Sequence, residues 1–132
     1  LLAFFIPGVV YLADAIGTQT EAVIVRGLSV GVRVRRILGL ELATGAGIGV
    51  ALALAGGLAV GLIWQHWGVA LILALTILAT ASVATVIALL LPLLLSRFKL
   101  DPAYGAGPLA TVIQDVLSIL IYLQIAHWVL DS

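Results

Sequence analysis

Charge and cysteine are what this sequence is short of. Cysteine is absent from its 132 residues, which removes disulfides, thiolate nucleophiles and Cys-held metals from consideration. Asp, Glu, Lys and Arg make up only 9%, against about 25% in soluble globular chains. The formal net charge is zero, so nothing points to nucleic acid or an acidic polymer as partner. No HExxH occurs, and no Lys lies inside an apolar run where it could form a Schiff base. Leu1 opens the chain without a basic stretch or small-residue cleavage site ahead of it, so a secretory signal is not expected and sequence upstream is.

What the chain has is apolar length. Hydrophobic residues make up 64%, more than a domain this small could bury from water. A spanning helix needs about 20 apolar residues, and four stretches supply them, at roughly 3–25, 42–63, 69–95 and 109–130. Runs such as VATVIALLLPLLL do not alternate as membrane strands must. The expected fold class is therefore an all-α membrane protein, with residues 1–132 as a single transmembrane domain.

All six basic residues fall into two connections: Arg26, Arg33, Arg35 and Arg36 in one, Arg97 and Lys99 in the other. By the positive-inside rule both connections are cytoplasmic. Trp64, Trp67 and Trp128, with His66 and His127, then form an aromatic belt at the outer interface. Leu1 starts outside in this arrangement, so an odd number of upstream spans is expected, one being the simplest count. In the second span Gly45, Gly49, Ala53, Gly57 and Gly61 make one small-residue stripe, a surface for close helix packing in lipid. Pro92 is expected to kink the third span.

The chemistry sits in the first and fourth spans. An acid at mid-helix costs about 2.5–3.5 kcal/mol on insertion scales, and Asp14 and Asp115 both stand deep in apolar sequence with no Lys or Arg in any span to neutralise them. Each must face protein or water and bind a cation or a proton. Thr111, Gln114, Asp115, Ser118 and Tyr122 recur at one helical face, as do Tyr11, Asp14, Thr18 and Glu21, with Gly17 beside them. Such oxygen-rich stripes suit Mg²⁺, Ca²⁺ or Mn²⁺. Asp115 and Asp14 are the candidate metal residues; Thr18, Gln19, Glu21, Thr111, Gln114 and Ser118 are the possible pore-lining ones. Against this, Thr111, Ser118, Thr76 and Thr80 can bond back to their own helix, Glu21 can pair with Arg26, and Asp101 with Pro102 can shape the turn into the last span. Intramembrane aspartyl proteases use YD and GxGD, whereas these acids stand in YLAD and VIQD; an enzyme is not expected.

Two stretches resemble the MgtE-type magnesium channels and transporters. LPLLLSRFKLDPAYGAGPLATVIQDVLSILIYL is similar to the family's last helix and its approach, matching at Leu91, Pro92, Asp101, Pro102, Ala103, Pro108, Thr111 and Asp115. The first span is similar to the family's second helix, matching at Pro7, Gly17, Gln19 and Arg26. The resemblance implies a five-helix domain of which this chain holds helices two to five. It further implies a homodimer in the inner membrane of a prokaryote, with Asp115 as the pore acid at the dimer interface and Mg²⁺ as the transported ion. No organic cofactor is implied, and membrane lipid is the remaining partner. Where the family has a glycine-rich stretch with Asn, this chain reads Ala13, Asp14, Ala15, Ile16, Gly17 and Thr18, so Asp14 and Glu21 are added acids. Two other classes stay open: a proton- or sodium-coupled transporter of a small solute, and a membrane scaffold packing through the glycine stripe.

Overall fold

The computed structural model describes residues 1–103 and 106–131. Four helices run α1 Leu2–Ser29, α2 Val34–Trp64, α3 Trp67–Arg97 and α4 Ala106–Leu130, and no strand occurs among the described residues. All four are long and apolar enough to cross a membrane; even the shortest spans roughly 37 Å at ~1.5 Å per residue, against a hydrocarbon core of ~30 Å.

The helices begin and end outside the apolar runs. α2 starts at Val34, two turns ahead of Leu42, so most of the basic connection is helix. Arg26 lies in the last turn of α1, and Arg35 and Arg36 lie in the first turn of α2. Long basic side chains can reach the interface from such turns while the backbone stays helical. What ends α1 is Gly31, in the left-handed region at φ 73°. Its N–H donates to the Leu28 carbonyl at 3.3 Å, and that of Val32 to Gly27 at 3.0 Å, the paired closure that satisfies the last free carbonyls. The same pair of bonds closes α3 around Lys99, at φ 59°. Between α2 and α3 only Gln65 and His66 intervene, and the Gln65 side-chain amide caps Leu62 at 2.8 Å.

α3 is the central helix: it packs against the other three, while α2 and α4 do not touch among the described residues. The small-residue stripe of α2 lies on α3. A Cβ on Gly45 would run into Thr85, one on Gly49 would come within 2.9 Å of Ala81, and one on Gly57 within 3.1 Å of Ala74. In lipid, where apolar surface gains little by leaving the solvent, this close backbone approach supplies much of the helix association.

The core is two apolar clusters with a polar layer between them. Val9, Ile72, Ile77 and Tyr122 belong to one cluster, Ile24, Ile37 and Leu89 to the other. Phe5 packs on Trp64 at 5.6 Å, which sets the start of α1 beside the α2–α3 turn. At the opposite end Val25, Leu28, Ser29, Ser96 and Asp101 line one crevice, so the two basic connections share an end. Leu54, Leu58, Leu62, Leu90 and Leu120 stay exposed on the outside, as a lipid-facing surface requires.

Candidate functional site

The polar layer is built where α1 meets α4. The Thr111 hydroxyl donates to Asp14 Oδ1 at 3.0 Å, across 97 residues of sequence. Thr111 was a candidate for bonding back to its own helix; a carboxylate oxygen is the better acceptor than a carbonyl already engaged in the helix ladder. Thr18, one turn on from Asp14, donates instead to the Asp14 backbone carbonyl. Asp115 stands one turn after Thr111 and is half-buried, as Asp14 is.

Beside this bond the seam interlocks. A Cβ on Gly17 would collide with the Gln114 side-chain amide, so the missing side chain of α1 is the space that Gln114 occupies. Its Nε2 also donates to the Ala84 carbonyl of α3 at 3.3 Å. Gln114 is 2% exposed and Ser118 3%. The five-residue stripe read from α4 is therefore divided. Gln114, Ser118 and Tyr122, with Ala110 and Ala126, face the interior of the protomer, and Thr111 and Asp115 lie along its edge. Tyr122 donates its hydroxyl to the Leu2 carbonyl at 2.6 Å, a tie between helices that removes it from any ion-lining face.

On α1, Glu21 is half-buried and lies beside Gly107, where a Cβ would be 3.6 Å from its Oε1. It lies two turns from Asp14 on the same face of α1. Glu21, Thr18, Ala22, Val25, Ala103 and Gly107 line a crevice of about 240 Å³. This adjoins the one at the basic end, about 350 Å³, through shared Val25 and Ala103. Gln19 and Tyr11 point outward and are exposed. Asp101 accepts the Ala103 N–H at 2.9 Å, the side-chain turn that Asp-Pro favours.

The acids in the spans have no basic partner. Among the described residues the one ion pair is His127 with Asp131, at 2.8 Å and far from this seam; Glu21 does not pair with Arg26. The sequence reading included Gln114 but not its partner, and it passed over Glu41. Gln114 reads as one more stripe member until Gly17 is seen opposite it, and Glu41, half-buried in α2, was legible as an acid followed by an unbroken apolar run.

The family model for MgtE, a divalent cation transporter, matches residues 6–125. The chain belongs to the MgtE family. It is 36% identical over 95% of its length to the magnesium transporter MgtE of Bacillus subtilis. It is 33% identical over 96% to the magnesium transporter MgtE of Enterococcus faecalis. That of Thermus thermophilus is 29% identical over 99%. The chain spans about three tenths of the length of these relatives, 29% of the first two and 30% of the third. As an MgtE member with four spanning helices it is an integral membrane protein.

Proposed function

We propose that this chain forms the ion-conducting domain of a Mg²⁺ transporter and works as a homodimer. The observation that carries the reading is the α1–α4 seam, where Thr111 ties α4 to Asp14 of α1 one turn before Asp115, and neither acid has a basic partner among the described residues. The relatives that cover the same residues are named magnesium transporters, which supports Mg²⁺ as the cargo.

The donor set fits an ion that keeps its water. Among the described residues no three His, Cys, Asp or Glu side chains converge to form a cage. Mg²⁺ dehydrates reluctantly and is commonly held by one or two carboxylates through its waters. Asp115, on the edge of α4 beside exposed Val112 and Val116, would meet its counterpart across a two-fold axis. Two copies then supply the negative field for a hydrated divalent ion. Asp14 adds potential from α1, and Thr18 and Glu21 continue the oxygen-lined route toward the basic end. Gln114 and Ser118 hold the seam from inside the protomer. The basic connections lie on the cytoplasmic side, in the inner membrane of a prokaryote.

Mg²⁺-dependent flux into liposomes carrying the intact protein tests this. Asp115→Ala is expected to abolish it; undiminished flux in that variant would overturn the assignment.

A further inference from the structure

Three arginines at the α1–α2 turn share one crevice. Arg33 is the residue before α2, and Arg35 and Arg36 lie in its first turn. Together these three side chains line a crevice of about 430 Å³ to which no other described residue contributes. None of them forms an ion pair, since the one pair among the described residues is His127 with Asp131, at the opposite end of the protein. Guanidinium groups sharing a crevice repel unless an anion lies between them, and their planar forks match phosphate oxygens.

What surrounds the crevice narrows the anion. The turn exposes Val30 and Val32, and one side of the helix below exposes Leu40, Val50 and Leu54. A cationic crevice thus opens directly above an apolar helix face, which is the layout of a lipid molecule: anionic head, then acyl chains. We propose that Arg33, Arg35 and Arg36 bind the phosphate headgroup of an anionic phospholipid, whose chains lie along α2. Inorganic phosphate would meet the same charges and gain nothing from Leu40 or Leu54. The second basic connection offers a contrast. Arg97 and Lys99 flank a crevice lined by Ser29, Ser96 and Asp101, where a carboxylate disfavours an anion. The inference does not depend on the ion transported.

Native mass spectrometry of the detergent-solubilised intact protein tests it, with phosphatidylglycerol and phosphatidylcholine of matched chains. Each arginine near an anionic headgroup is worth roughly fivefold in affinity. The Arg33→Gln/Arg35→Gln/Arg36→Gln variant is therefore expected to lose most of the preference for phosphatidylglycerol, a fall of more than ~10-fold, with phosphatidylcholine binding unchanged. Arg97→Gln/Lys99→Gln is expected to retain it, and excess inorganic phosphate is expected not to displace the lipid. The preference surviving in the triple variant would overturn the proposal. So would an equal loss in the double variant, which would mean diffuse surface charge, or displacement by phosphate, which would mean a free-anion site.

Discussion

The α2–α3 pair and the α1–α4 pair handle polar atoms in opposite ways. Between Glu41 and Arg97 the chain carries no Asp, Glu, Lys or Arg, and the hydroxyls of α3 turn back on their own helix. Thr76 donates to Ile72 at 2.7 Å, Thr80 to Thr76 at 2.8 Å and Thr85 to Ala81 at 2.9 Å. Thr18 of α1 turns back likewise, but three polar groups of α4 reach a different helix: Thr111 to Asp14, Gln114 to α3, Tyr122 to Leu2. Back-bonded threonines are satisfied locally and leave the helix surface smooth for packing. Cross-bonded groups fix one helix against another and leave two carboxylates with capacity to spare. The first pair is the frame, and the second holds the chemistry.

That contrast can be broken from either side, and the frame is the side where the largest stability effect is expected. Gly45→Leu forces a side chain into the space held by Thr85 and separates α2 from α3. Overpacking of this kind costs about 1–3 kcal/mol, to be read as a fall in thermal unfolding temperature in detergent. On the chemical side, Asp14→Ala removes the acceptor of Thr111 and is expected to lower both stability, by up to about 1.7 kcal/mol, and Mg²⁺ flux. Asp14→Asn sharpens the comparison: its carbonyl oxygen still accepts from Thr111, so stability is expected to be kept while flux falls. Equal flux in wild type and Asp14→Asn would reduce Asp14 to a structural tie. Tyr122→Phe loses only the bond to Leu2 and is expected to destabilise by about 0.6 kcal/mol, the typical worth of an interhelical bond in membranes, with flux unchanged. The smallest effect belongs to Thr80→Val, under about 0.5 kcal/mol either way, because the carbonyl it leaves keeps its backbone donor.

The fold was largely legible because four apolar runs in a short chain leave few alternatives to four spanning helices. The ends were not. The stretch around Arg35 and Arg36 is polar enough to read as a loop, yet a basic side chain can leave the membrane from a helical turn. Of the site, the two acids stood out, since an unpaired acid in an apolar run is conspicuous on its own. Their relation did not. Periodicity puts Gln114 and Asp115 on one face within an arc too broad to separate the buried edge from the open one. That division depends on Gly17, whose missing Cβ draws Gln114 inward, and such pairings between distant helices leave no mark in either helix alone.

The most direct test of the central claim is the position of a bound divalent ion. Crystals of the intact protein soaked in Mn²⁺, a hard oxygen-seeking substitute for Mg²⁺, would reveal it by anomalous scattering. The account predicts density beside Asp115, between two copies of α4 across a two-fold axis. Ion density confined to other carboxylates, with Asp115 engaged by protein or lipid, would contradict it.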